Sequence, residues 1–280
     1  MKILSIDIGI KNFAYCCIES TEDKKFNIIQ WDVINLFGDP PLCSHNIVNK
    51  KGEKLCNKKA SFCKDNKHYC KTHAKKTSYI ISSNTTKLSY FRKCSITELN
   101  AICITYGLSC SNKKKILLET LDNFIKQNSF EEVKPISCNN ISLIDVGIAI
   151  VKSLNNLFNM QELDKIIIEN QISPIASRMK TIQGMVTQYF IMNNFYDIEF
   201  ISAINKLKPY TTEKLNYNKR KKFSIIITEK MIQNTPNLNK WNNLYATHTK
   251  KDDLADSLLQ GLWYLNKNNN IILEKNDYLT

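Results

Sequence analysis

Four carboxylates carry the chemistry this sequence is capable of. Asp7 closes the run Met1-Lys-Ile-Leu-Ser-Ile-Asp7, with Gly9 just behind it. Glu169 closes a second apolar run, Asp164-Lys-Ile-Ile-Ile-Glu169, followed by Asn170 and Gln171. Asp253 and Asp256 stand three apart in Lys250-Lys-Asp-Asp-Leu-Ala-Asp-Ser257, so a helix would set both on one face. Asp252, four residues before Asp256, can replace Asp253 in that pairing. An acid at the end of a buried strand is costly unless it faces a cation. Two strand-end acids and two helix acids converging on a pair of Mg²⁺ ions would suit phosphodiester hydrolysis. One ion would activate the attacking water and the other would stabilise the leaving oxygen, with Mn²⁺ as an alternative metal. A lysine beside them could offset charge on the phosphate in the transition state. Lys206, Lys208, Lys221 and Lys222 all qualify by position, and Lys221 is taken first.

A second set of reactive side chains lies between Leu42 and Lys76, where cysteines and histidines alternate with lysines and large apolar residues are few. So small a module needs a metal in place of a core, and Zn²⁺ takes four Cys/His ligands tetrahedrally. Cys70-Lys-Thr-His73 has the close spacing of one half-site. Cys43 and Cys56 are the choice for the other half, with Cys63 and His45 in reserve. No acid or base motif adjoins the set, so its Zn²⁺ would be structural.

The elements that must position the four acids can be read from periodicity. Residues 2–9, 13–19 and 26–34 read as three strands with short connections, hence an antiparallel meander. Residues 142–161 read as an amphipathic helix, 164–169 as a short strand, 175–194 as a helix and 196–202 as a strand. A helix from residue 250 carries the stripe Leu254, Leu258, Leu262. The pattern breaks at Gly38-Asp-Pro-Pro41 and resumes near Ile141. This predicts a core of residues 1–37 and 141–280, a zinc-binding insert at 42–76 and a helical insert at 88–128. In the last, Ser95 and Glu98 form a capping box, and the first helix stops near Gly107.

Charge points to the partner. The chain has 280 residues and a formal charge of +13, which favours an acidic polymer, nucleic acid first. The excess is local. Residues 43–80 hold ten lysines against Glu53 and Asp65, and residues 203–223 hold six lysines and Arg220 against Glu213. Tyr210 and Tyr217 are interleaved with the second group, a composition suited to phosphate and base contacts. No apolar run reaches the length of a membrane span, and the start lacks the order of a signal peptide. The expected location is intracellular, and the ten cysteines are not expected to form disulfides.

Three motifs in this order, Ile6-Asp-Ile-Gly-Ile-Lys-Asn12, Ile168-Glu-Asn-Gln171 and Lys251-Asp-Asp-Leu-Ala-Asp-Ser257, carry a family resemblance. The chain resembles the RNase H-like nucleases, and among them the RuvC-like Holliday-junction resolvases of poxviruses and other large DNA viruses. That resemblance implies an α/β fold with a mixed five-stranded sheet flanked by helices, and metal ligands at Asp7, Glu169, Asp253 and Asp256. It also implies a homodimer that nicks two strands of a four-way DNA junction symmetrically, in recombination or viral concatemer processing. The site of action would be a cytoplasmic viral factory, or a mitochondrion or nucleus in a cellular lineage. Lys11, Arg178, Lys180, Lys206, Lys208, Lys219, Arg220 and Lys222 are the expected DNA contacts of the core. Residues 88–128 resemble a SAP module, a duplex-binding helical unit, through the capped helix, Tyr106-Gly-Leu108 and Lys115-Ile-Leu-Leu118. Lys113, Lys114 and Lys115 would meet DNA there, although Ser111-Asn112 stands where such modules have glycine. Other readings are an RNase H-fold nuclease for flaps, branched DNA or RNA–DNA hybrids, and a DNA-binding protein without catalysis. An actin-like ATPase is disfavoured, since only seven glycines are present and none cluster into phosphate loops.

Overall fold

A computed structural model describes residues 1–49, 52–134, 140–155, 157, 162–171 and 177–273. The chain divides into two compact units, Met1–Gly38 with Ile136–Thr280, and Asp39–Pro135. In chain order, the first unit opens with β1 (Lys2–Ile8), β2 (Asn12–Ser20) and β3 (Phe26–Asn35). The second unit holds β4 (Asn46–Asn49), β5 (Gly52–Leu55), β6 (Phe62–Lys64), β7 (Lys67–Tyr69), α1 (Lys71–Ala74), α2 (Leu88–Phe91), α3 (Ile96–Thr105), α4 (Lys114–Asn128) and β8 (Glu131–Glu132). The first unit then resumes with α5 (Leu143–Leu154), β9 (Lys165–Glu169), α6 (Ser177–Met192), β10 (Ile198–Ile201), α7 (Tyr217–Asn234), α8 (Asn242–Thr247) and α9 (Lys251–Lys267). Among the described residues no helix is long and apolar enough to cross a membrane.

The larger unit is built on a five-stranded sheet in the order β10-β9-β1-β2-β3. β1, β2 and β3 pair antiparallel, while β9 runs parallel to β1 and to β10. This is the mixed sheet expected of an RNase H-like fold. Period-two alternation explains why β1 is buried on both faces. Ile3 joins a cluster with Ile18, Ile167, Met231, Leu254, Leu258 and Leu262, on the side of α7 and α9. Leu4, Ile6 and Ile8 join Phe13, Val146, Ile150, Ile168, Val186 and Phe190, on the side of α5 and α6. Helices therefore cover both faces. α5 begins at the Ser142 cap, whose hydroxyl accepts from the Asp145 backbone N–H. The expected helix over 142–161 is described only to Leu154 and its cap, since 156 and 158–161 lie outside the described residues. Residues 175 and 176 of the expected second helix lie outside them too.

In the second unit, α2, α3 and α4 close around Phe91, Leu99, Cys103, Leu117, Leu121 and Ile125. The Ser95–Glu98 capping box is present in both directions, Glu98 N to Ser95 Oγ at 3.3 Å and Ser95 N to Glu98 Oε2 at 2.7 Å. A separate aromatic group, Phe62, Tyr69 and Tyr79 around Phe130, supports the small sheet β7-β6-β8.

Candidate active site and metal centre

Alternation along β1 aims Asp7. Ile3, Ser5 and Asp7 share the face that meets α9, and Ser5 is wholly buried there. The contact is close because Gly261 of α9 has no side chain. A Cβ at that position would come within 2.5 Å of Ile18 Cδ1 and 3.1 Å of Ser5 Cβ. Beside it, Gln260 Nε2 donates to Ser5 Oγ at 3.3 Å and to the Ile6 carbonyl at 3.2 Å. One helical turn before Gln260 comes Asp256, and one turn earlier Asp253, so both acids are carried to the end of β1. Trp31 Nε1 donates to the Leu254 carbonyl at 3.0 Å, which ties the first turn of α9 to β3.

Glu169 arrives by the same logic on β9. The parallel register pairs Ile6 with Ile168, so Asp7 and Glu169 end neighbouring strands side by side. Ile167 packs on the α9 side, and Glu169, two residues on, shares that face. Gly9 makes the turn into β2: its N–H donates to the Asn12 carbonyl at 2.7 Å, and a Cβ there would stand 2.9 Å from that oxygen. Asn12, held by this turn, donates through Nδ2 to Asp253 Oδ2 at 3.3 Å.

Asp7, Glu169, Asp253 and Asp256 all line one cavity of about 510 Å³, with Lys11, Lys206, Arg220, Lys221 and Lys250 in its walls. Lys206 is the cation at its centre. Its ammonium lies 2.7 Å from Asp256 Oδ2 and 3.1 Å from Glu169 Oε2, and the residue is 8 % exposed. Burial pulls the Lys206 pKa down, but Asp256, Glu169 and Asp7 more than reverse this, leaving it raised. Asp7 is pushed well above the ordinary carboxylate range, first by burial and then by the charge of Glu169, with Lys206 opposing. Asp253 is raised as well, by burial and by Asp252. Lys206 therefore bridges Glu169 and Asp256 and acts on Asp7 by charge, while Asp253 feels Lys250 and Lys221 instead. Asp256 Oδ1 is buried with no hydrogen-bond partner among the described residues. This surplus of hard oxygens fits a divalent cation.

Several side chains take positions that their sequence neighbourhood did not disclose. Lys206, named both as a candidate lysine beside the acids and as a DNA contact, is buried in the Asn205–Leu207 turn, paired with Glu169 and Asp256. Lys221, first choice for the lysine beside the acids, pairs with Asp252 at 2.6 Å. That bond leaves Asp252 lowered, burial notwithstanding. Tyr210 is 7 % exposed and belongs to the core, so it is no base-stacking platform, whereas Tyr217 is exposed. Lys208, Lys219 and Lys222 are exposed, as are Lys180, Lys113 and Lys115, while Lys114 is half-buried. Arg178 donates from Nη2 to the Ile141 carbonyl and so braces α6 against the start of α5.

In the smaller unit Cys43, Cys56, Cys70 and His73 offer ligand atoms that all lie within 4.8 Å of one another. Cys43 Sγ and Cys70 Sγ stand 3.4 and 3.5 Å from His73 Nδ1, and Cys56 Sγ stands 3.9 Å from Cys70 Sγ. A tetrahedral zinc with Zn–S of about 2.3 Å and Zn–N of about 2.05 Å has S–S edges of about 3.8 Å and S–N edges of about 3.6 Å. The three spacings given lie close to those edges, and the Cys56–Cys70 distance is far beyond a disulfide bond of about 2.05 Å. His73 has its pKa lowered by burial and by His45, which stacks on it at 4.0 Å, so the imidazole is kept in its ligating, neutral form. Cys63 lies on β6, outside the group.

A family model described as mitochondrial resolvase Ydc2 / RNA splicing MRS1 matches residues 3–186. The chain belongs to this family. An uncharacterized protein of Acanthamoeba polyphaga mimivirus is 30 % identical over 328 residues, covering 99 % of this chain and 76 % of that one. Among solved structures, the chain is similar to fowlpox virus resolvase in complex with Holliday-junction DNA, at 16 % identity and a TM-score of 0.41, covering 95 % of this chain and 98 % of that one. It is also similar to the yeast mitochondrial Holliday-junction resolvase Ydc2, at 16 % identity and a TM-score of 0.39, covering 96 % and 80 %. Membership in the family rests on the family model over residues 3–186.

Proposed function

We propose that this resolvase-family protein is a metal-dependent endonuclease that resolves four-way DNA junctions by paired, symmetric nicks. The observation that carries the proposal is the convergence of Asp7, Glu169, Asp253 and Asp256 in one basic-walled cavity. The family description spans a resolvase and an RNA-splicing protein, and a protein that only binds RNA has no use for four half-buried acids gathered in one cavity. The giant-virus relative supports work on replicating viral DNA, in recombination or concatemer processing in a cytoplasmic viral factory.

Asp7, Glu169, Asp253 and Asp256 would hold Mg²⁺ or Mn²⁺. Such ions polarise the scissile phosphate and acidify a water. The chain's own groups do the rest. Asn12 fixes the Asp253 carboxylate through its 3.3 Å bond. Lys206 keeps Glu169 and Asp256 in register, and its ammonium is one of the cavity's cations that would offset charge on the phosphate in the transition state. Lys11, Arg220 and Lys250 on the walls draw the DNA backbone in. In the smaller unit, Cys43, Cys56, Cys70 and His73 hold a structural Zn²⁺.

A two-fold junction requires two such cavities, hence a homodimer. An apolar face on α5 and α6 supports it. Ile144, Ile148, Val151 and Met192 are exposed beside a groove of about 900 Å³, and Lys152 is the one charged residue lining that groove among the described residues. In a chain of +13, so uncharged a face suits protein rather than DNA.

The test is cleavage of a synthetic four-way junction beside linear duplex, flap and RNA–DNA hybrid, with wild type and Asp256→Asn in Mg²⁺. Paired nicks in the junction alone, absent in the variant, are expected. Equal cutting of flap or hybrid would leave a nuclease without junction selectivity. Tight binding with no cutting would put the protein on the splicing side of its family.

A further inference from the structure

Two of the four metal-centre ligands bracket a hairpin that is tied down only near its base among the described residues. β4 and β5 pair from Asn46 with Leu55 to Asn49 with Gly52. Cys43 lies just before β4 and Cys56 directly follows β5, while Cys70 and His73 belong to the start of α1. None of Asn46, Ile47, Val48, Gly52, Glu53, Lys54 and Leu55 is buried, and Val48 is 71 % exposed. A two-stranded hairpin in which Ile47 is the one half-buried side chain among the described residues is marginal in water at best. The backbone bonds Cys43 N to Lys58 O and Ala60 N to Pro41 O extend the ladder toward its base, and Ser44 ties it to His68. The aromatic packing of this half of the unit lies elsewhere, around Phe130.

We infer that a Zn²⁺ ion at Cys43, Cys56, Cys70 and His73 holds the β4–β5 hairpin as a projecting arm that contacts the DNA backbone. The inference rests on the DNA-processing reading above. Lys54, Lys58 and Lys59 are exposed on the arm and its base, and Glu53 is the one carboxylate between residues 43 and 64. Lysines on a backbone fixed by metal lose less freedom on binding than the same lysines on a loose loop. The chemistry is that of a phosphate contact: ammonium groups on an exposed ribbon.

The experiment uses the full chain. Zinc is counted by elemental analysis, and binding to a four-way junction and a linear duplex is followed by anisotropy across a salt series in Ca²⁺. The three proteins are wild type, Lys54→Gln/Lys58→Gln/Lys59→Gln, and Cys43→Ser/Cys56→Ser. Trp31, Trp241 and Trp263 are the three tryptophans, and all lie in the nuclease unit, so their fluorescence reports that core alone. The expected result is one zinc per wild-type chain. The lysine variant keeps it and loses salt dependence, the slope of log K against log[salt] falling by about 0.9 for each duplex phosphate contact removed. The cysteine variant loses zinc and shows the same weaker slope, with the tryptophan-reported melting unchanged. Wild type without zinc, a lysine variant with the wild-type slope, or a zinc-free cysteine variant that binds as wild type would each overturn the inference. Wild type that binds but cuts no junction would instead overturn the resolvase reading, with the arm still judged by its slopes.

Discussion

Replacing Lys206 by Met would separate the charge of this residue from its bulk, because the two side chains are similar in length. The ammonium is buried and bridges Asp256 at 2.7 Å and Glu169 at 3.1 Å. Removing one partner of a buried ion pair costs roughly 3–5 kcal/mol, since the remaining charges are left uncompensated. For a unit of this size each kcal/mol lowers Tm by about 2–4 °C, so chelator-treated Lys206→Met should melt roughly 6–20 °C below wild type. A divalent ion changes the comparison. In wild type it competes with the ammonium for Glu169 and Asp256, whereas in the variant it meets those carboxylates unpaired. Binding at 100 times Kd adds about 2.7 kcal/mol of stability, so Mg²⁺ should raise the variant's Tm more than wild type's and close much of the gap. Calorimetry of both proteins across a Mg²⁺ titration reads this directly, and junction cleavage by the variant should stay lost at saturating metal. Equal Mg²⁺ shifts in the two proteins would refute the idea that lysine and metal share these oxygens. An unchanged melting point in chelator would refute the ion pairs themselves.

Other outcomes follow from the same geometry. Asp7→Asn should abolish junction cleavage while binding in Ca²⁺ stays near wild type, because a neutral amide keeps the shape of the strand end and loses one metal ligand; gel-shift and nicking assays read the two separately. Gly261→Ala should cost about 1–3 kcal/mol by overpacking against Ile18 and Ser5. That loss exceeds the gain of up to about 1 kcal/mol in helix propensity. Because α9 carries Asp253 and Asp256, cleavage should fall with Tm, and retention of full activity would contradict the close α9–β1 approach. Ile148→Asp, on the exposed face of α5, should give a monomer by sedimentation that still melts like wild type.

The convergence of the acids was legible because few other arrangements explain them. Asp7 and Glu169 each end an apolar strand, and strict alternation from Ile3 through Ser5 puts Asp7 on a known face before any tertiary contact is considered. Asp253 and Asp256 share a helical face by spacing alone. Lys206 was not separable in the same way. It sits in a short turn with Lys208 close by, a stretch with no periodicity, and its burial comes from acids contributed by β9 and α9. The available signal was electrostatic rather than local: acids gathered in a buried place demand a cation from the chain, and a lysine between β10 and α7 was the nearest supply. The same reasoning applies to the metal-centre hairpin. Spacing pointed to Cys43 and Cys56, but only the pairing of β4 with β5 shows that the residues between them form a ribbon with no core of its own. A ligand pair thirteen residues apart in sequence thus has a physical purpose. On the zinc reading proposed above, a metal at that pair would close the loop at its base and leave the exposed lysines on the ribbon beyond it.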